Sequence, residues 1–197
     1  MFTIDGNLKF VNVNIKYLEH LHKVCKEVFY QETKYENKPY LGLFVSDGNK
    51  KYVLPLTSAK EKHKEWKDIY PDRMLIYQIE NKSEVNKNAI FTELSDSKIK
   101  HIFSAIEIKK MIPVKDCVIS EVNINIKDED TEEMKKYKNL LKNEYLFCLK
   151  NKDLILSRAS KIYEKQMDTG KVLRFGCDFR KLEKAMEIFD TKKYSES

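Results

Sequence analysis

The chain has little glycine and little proline, 5 and 4 in 197 residues. That excludes collagen-like and low-complexity organisation. No apolar run approaches the roughly 18 residues of a membrane span, and the longest ones are strand-length. The N-terminus, MFTIDGNLKFVNV, lacks a basic stretch followed by an apolar one, so no secretory leader is expected. Cysteine is limited to Cys25, Cys117, Cys148 and Cys177, with no CxxC pair. Histidine is limited to His20, His22, His63 and His101. His20 and His22 are two apart and diverge on a helix. This spacing offers no zinc-ligand set, and the thiols read as ordinary residues of a reducing cytoplasm. Neither a metal nor a cofactor is expected, and no membrane partner.

What is present is a soluble-protein composition, 42% hydrophobic and 35% charged. The length suits one domain with a sizeable core, spanning 1–197. Lys plus Arg number 37 against 31 for Asp plus Glu, a net charge of +6. That excess fits a nucleic-acid partner better than an acidic ligand. A lysine-rich source genome would raise the count in the same way.

Periodicity divides the chain. Residues 8–122 are rich in strands. LKFVNV, YLGLFVS, KKYVLPL, RMLIYQIE, IFSAIEI and CVISEV have strand length or alternation. Asn14 caps a helix expected from Ile15 to about Phe29, and Asp47-Gly48-Asn49 is a hairpin-turn signal. Residues 81–98 are polar apart from AIFTEL. After Asp128 the period changes to about 3.6. Met134, Tyr137, Leu141, Tyr145 and Cys148 share one helix face in the helical part, 128–190. Leu154, Ile155, Ala159 and Ile162 mark a second helix that Gly170 can end. Asp178 can cap a further one carrying Phe179, Leu182, Met186 and Phe189. The order predicts an α+β fold, a strongly twisted antiparallel sheet packed by about four helices.

Chemistry concentrates in YVLPLTSAKEKHKEW. A strand delivers Thr57 and Ser58 to an expected helix start, where free N–H groups favour a phosphate. Lys60 adds an ammonium. Ser58-Ala59-Lys60-Glu61 also reads as a capping box, and the two readings are compatible. The loop Tyr35-Glu36-Asn37-Lys38-Pro39-Tyr40 is either a surface connection or a place for base stacking and a phosphate contact from Lys38. Lys135, Lys136, Tyr137, Lys138 and Lys142 form either a solvated helix face or a basic platform with an interleaved aromatic.

YLGLFVSDGNKKYVLPLTSAKEKH resembles the paired strands and Pro-Leu-Thr-Ser-x-Lys segment of the ToxN/AbiQ family, the protein toxins of type III toxin–antitoxin systems. Lys109 to Val114 is similar to that family's Met-Ile-Pro-Val stretch. Tyr137-Lys138-Asn139-Leu140-Leu141, then Phe147, Asn151 and Asp153, continue the likeness. Leu8-Lys9-Phe10 and Lys16-Tyr17-Leu18 match its opening strand and helix. Tyr35-x-Asn37-Lys38-Pro39 departs from the family's Tyr-x-Asn-Pro-Lys, and residues 81–101 look like an insertion.

The resemblance implies a MazF/Kid-like barrel core and a metal-independent endoribonuclease. It implies cutting of single-stranded, often A-rich RNA to 2′,3′-cyclic phosphate and 5′-hydroxyl ends. The partners it implies are target mRNA and an RNA antitoxin of pseudoknot repeats, held with the protein in a closed ring. No DNA partner is implied. On this reading Ser58, Thr57, Lys60 and Lys38 are the catalytic candidates. Tyr35, Asn37, His63, Lys135, Tyr137, Lys138 and Lys142 are the RNA-binding ones, and His63 is a weak candidate for general base. A non-catalytic RNA-binding module is the alternative, and a domain that recruits an acidic protein is a second.

Overall fold

The computed structural model describes residues 2–3, 8–30, 39–45, 50–86 and 88–189. The strands are β1 (Phe2–Thr3), β2 (Phe10–Val13), β3 (Tyr40–Val45), β4 (Lys51–Ser58), β5 (Ile69–Tyr70), β6 (Arg73–Asn81), β7 (Phe91–Glu93), β8 (Lys98–Ile106), β9 (Ile112–Val114) and β10 (Ile119–Glu121). The α-helices are α1 (Ile15–Val24), α2 (Glu132–Lys150), α3 (Lys152–Thr169) and α4 (Phe179–Ile188). All described strand pairs are antiparallel, in the order β10-β2-β3-β4-β8-β6-β5, with β1 on β3, β7 on β8 and β9 on β4. The α+β expectation therefore holds. Among the described residues, no helix is long and apolar enough to cross a membrane.

Local chemistry sets the helix ends. Asn14 Oδ1 accepts from the N–H groups of Lys16 and Tyr17 at 2.9 and 3.2 Å. Asp178 Oδ1 accepts from Lys181 N at 3.1 Å, and Gly170 ends α3 at φ 69°. Such caps satisfy backbone groups that the helix itself leaves orphaned. α1 stops at Val24, short of Phe29, because Cys25 turns to extended backbone.

One large core lies where the helices pack on the sheet. Leu18, Leu21, Leu41, Leu54, Ile76, Ile106, Leu141, Ile155 and Leu182 are buried in it. α4 is anchored by Glu183, a buried carboxylate that accepts from Tyr52 Oη and Tyr163 Oη, both at 2.8 Å, and from Lys50 Nζ at 2.5 Å. A smaller cluster of Leu75, Ile102 and Ala105 is covered by Ala59, Trp66, Tyr77 and Ile90. The polar 81–101 stretch thus joins the sheet: β7 pairs with β8, and Ile102 N donates to Ile90 O at 2.8 Å.

Strand β4 is the hinge of the sheet. Its first half pairs with β3 and β9, and its last three residues pair with β8. Leu56, Thr57 and Ser58 face Ile106, Ala105 and Ser104, which in turn pair with Met74, Leu75 and Ile76 of β6. Tyr40, the first residue of β3, pairs with Pro55. The chain therefore enters β3 beside the end of β4.

Candidate active site

Thr57 and Ser58 end β4, with Thr57 half-buried and Ser58 exposed. Strand alternation sends their side chains to opposite faces. Thr57 shares its face with Ala105 and Leu75, the floor of the small cluster. Ser58 shares its face with the wholly buried Ser104. An anion reached by both hydroxyls therefore sits at the tip of the strand, not over either face. Two oxygens at this end make no hydrogen bond among the described residues, Thr57 Oγ1 and Ser104 Oγ, and both are buried. Buried hydroxyls are normally paired, and leaving one unpaired carries a desolvation cost.

The expected helix after Ser58 is a single 3₁₀ turn, Glu61–Glu65, that begins beyond Lys60. Ser58 is a strand residue and does not cap it, so the expected capping box is corrected. Five residues also build too little dipole to hold a phosphate. The bracket is instead His63. Its Nδ1 accepts from Lys60 N at 3.1 Å, while His63 N donates to Lys60 O at 2.8 Å. The ring is 1% exposed and lies 4.4 Å from the Trp66 ring. Burial, then the charges of Lys62, Lys60 and Arg73, lower its pKa to about 4. A neutral imidazole that accepts at Nδ1 carries its proton on Nε2. The expectation of His63 as an RNA contact is therefore corrected: the ring faces inward and holds the backbone of the exposed Lys60. Proximity in sequence could not show this, since it depends on Ala59 and Trp66, on either side of the turn, packing on the Leu75, Ile102 and Ala105 cluster.

Beside this turn Arg73 is sandwiched between aromatics, its guanidinium carbon 4.2 Å from the Trp66 ring and 4.3 Å from Tyr70. Lys62 Nζ is 5.5 Å from the same Trp66 ring. Sequence reading did not single out Arg73, Trp66 or Tyr70. Trp66, the one tryptophan, was the available signal.

The α2 candidates lie apart from the strand end. Met134 and Tyr137 are 49% and 37% exposed, so the first turns of α2 project past the core that Leu141 and Cys148 enter. Tyr137 lines a groove of about 800 Å³ with Asn12, Asn123 and Lys138. Lys138 is not free for a phosphate, because Asp130 binds its ammonium through both oxygens at 2.7 and 2.8 Å. The Lys127 N–H and then Lys138 hold the Asp130 carboxyl below the usual carboxylate range. Lys135 pairs with Glu132 at 3.0 Å, and Lys142 is exposed. Tyr35, Asn37 and Lys38 lie outside the described residues, as does the Asp47–Asn49 turn.

The same architecture occurs in solved proteins of type III toxin–antitoxin systems. One, from work on selective toxin inhibition by a non-coding RNA pseudoknot, superposes with a TM-score of 0.68 at 21% identity, covering 98% of this chain and 100% of that one. A second is AbiQ, described as a lactococcal anti-phage endoribonuclease, with a TM-score of 0.62 at 22% identity over 98% of this chain and 100% of that one. In sequence, endoribonuclease ToxN of Bacillus thuringiensis subsp. kurstaki is 24% identical over 95% of this chain and 87% of its own length. Endoribonuclease AbiQ of Lactococcus lactis subsp. lactis is 26% identical over 94% of this chain and 91% of its own. The family model for toxin ToxN of type III toxin–antitoxin systems matches residues 9–187, and the chain belongs to that family.

Proposed function

We propose that this chain is a type III toxin that cuts single-stranded RNA at the tip of β4. The RNA supplies its own nucleophile. Its 2′-oxygen loses a proton and bonds to phosphorus, the phosphorus–O5′ bond breaks, and O5′ takes up a proton. The products are a 2′,3′-cyclic phosphate and a 5′-hydroxyl, and no step requires a metal. Lys60 stabilises the charge on the phosphorane, and Thr57 and Ser58 hold or protonate its oxygens. Lys38, a catalytic candidate in the sequence, is proposed to add a second ammonium. His63 is not the base in this reading, because its accepting nitrogen is spent on Lys60 N. Alignment and electrostatics carry much of the rate.

The observation that carries this reading is the strand end itself: exposed Ser58 and Lys60, and a buried Thr57 hydroxyl without a partner among the described residues. A purely structural strand end would have its hydroxyls paired. The control is an RNA antitoxin: its pseudoknot repeats, once processed by the toxin, bind back in a closed protein–RNA ring and cover the site.

The test is incubation of the purified protein, stripped of RNA, with a cellular RNA pool in EDTA, followed by mapping of the new ends. Discrete cuts ending in 2′,3′-cyclic phosphates, lost in Ser58→Ala without loss of RNA retention, are expected. Retention without cleavage by the wild type would leave the non-catalytic RNA-binding module.

A further inference from the structure

The segment between α3 and α4 is built as a rigid stem with a strained tip. The stem is held from several sides. Gln166, buried on α3, donates to Cys177 O at 3.0 Å and accepts from Phe179 N at 2.6 Å. Cys177 N donates to Lys109 O at 2.9 Å. Gly176 N closes a turn on Leu173 O at 2.8 Å. A Cβ on Gly176 would meet Leu173 O at 3.1 Å and Lys109 O at 3.2 Å, so any larger residue would press on backbone there.

The tip is Phe175. Its φ is 58°, the sole positive value on a non-glycine residue among the described ones. A bulky residue in the left-handed region is an outlier, and such strain persists only where the surroundings impose it. What the strain achieves is display: the ring is 58% exposed, although Phe gains most from burial. The Arg174 guanidinium carbon lies 4.7 Å from its centroid. Lys171 and Arg180 are exposed nearby in sequence, and the nearest acid, Asp178, is engaged as the α4 cap and by Lys181 at 3.6 Å.

The tip is joined to the active-site end of the sheet. Lys109, which accepts from Cys177, donates its own N–H to Asp72 O at 3.2 Å and its ammonium to the Asp72 carboxylate at 2.8 Å. Asp72 precedes Arg73, the residue clamped between Trp66 and Tyr70. Cations and aromatic faces meet at Lys62 and Trp66, at Arg73 with Trp66 and Tyr70, and again at Arg174 and Phe175. Such pairs suit single-stranded nucleic acid, whose bases stack on rings and whose phosphates meet cations.

We propose that the Arg174–Phe175 tip is a stacking site for an unpaired nucleobase of RNA, tied through Lys109 and Asp72 to the end of the sheet that carries Arg73. This rests on the RNA-cleaving reading and adds a contact to it. The strained tip keeps the ring out of the core before RNA arrives, so little ordering cost remains at binding.

The probe is a fluorescent single-stranded 2′-O-methyl oligoribonucleotide, which lacks the attacking hydroxyl and so survives the intact protein. Phe175→Gly removes the ring and relieves the strained φ. A loss of affinity of about fivefold or more, at unchanged or higher melting temperature, is expected, with Phe175→Trp retaining affinity. Unchanged affinity in Phe175→Gly, with the wild type binding normally, would overturn the tip and leave the RNA reading standing. Failure of the wild type to bind any oligonucleotide would overturn both. A protein partner that Phe175→Gly loses, with RNA affinity intact, would also overturn the tip as an RNA contact.

Discussion

The end of β4 and the start of α2 are both rich in lysine and hydroxyl or aromatic side chains, yet they treat their polar groups differently. At α2, Lys138 is closed on Asp130 and Lys135 on Glu132. At β4, the hydroxyls of Thr57 and Ser104 are buried without partners among the described residues, and Lys60 is exposed with its backbone N–H and C=O secured by His63. Paired charges mark architecture, because each charge is already compensated. Unpaired groups held in place mark chemistry, because they are preorganised for something that arrives.

The strongest way to break that contrast is Lys60→Ala. Cleavage should fall by about 100-fold or more, with unchanged circular dichroism and RNA retention. A fully active variant would remove Lys60 from the site. Lys60→Arg should not restore the rate, because a planar fork does not reproduce a compact ammonium.

His63 sharpens the contrast. His63→Ala should lower the cleavage rate at saturating RNA by about 10- to 100-fold through loss of Lys60 alignment. His63→Asn should recover much of it, because Asn Oδ1 can accept where Nδ1 does. Equal loss in both variants would refute the bracket. The ring also links stability to pH. Its folded pKa of about 4 lies below the ordinary 6.5. Its contribution is therefore complete above about pH 6.5 and drains away as the pH falls towards 4. His63→Asn should flatten urea midpoints over that window.

At α2 the expected effect is on stability. Asp130→Asn should lower the urea unfolding midpoint, since Lys138 is 12% exposed and loses its charged partner. RNA cleavage by the folded variant should persist. The depressed Asp130 pKa adds stability above the ordinary carboxylate range, lost as the pH falls through its lower folded value. Lys142→Ala should have the smallest effect, within about 0.5 kcal/mol of wild-type stability. If Lys142 meets a phosphate, the slope of log affinity against log salt drops by about 1.

A smaller contrast lies among the thiols. Cys25 is half-buried, and a hydrogen bond from Cys177 lowers its pKa to about 5. Burial pushes the Cys148 thiol up. Iodoacetamide at pH 7 should label Cys25 well before Cys148, as read by peptide mass spectrometry. The reverse order would refute the lowered Cys25 thiol.

The sequence alone determined the α+β class and most helix ends. Period-2 and period-3.6 patterns are local, and Asn14, Gly170 and Asp178 act on backbone within a few residues of themselves. It also placed Thr57, Ser58 and Lys60 together, since they are neighbours in the chain. Tertiary structure decided the rest. Ser58 reads as a cap in isolation, but β8 draws it into the sheet, and a long-range ladder outranks a weak local preference. His63 looks like an exposed ligand on a lysine-rich turn, but the sheet beneath Trp66 buries it. Lys138 looks free until Asp130, eight residues back, closes on it. The display of Phe175 depends on Gly176 packing against Lys109, 67 residues earlier, and no local pattern carries that contact.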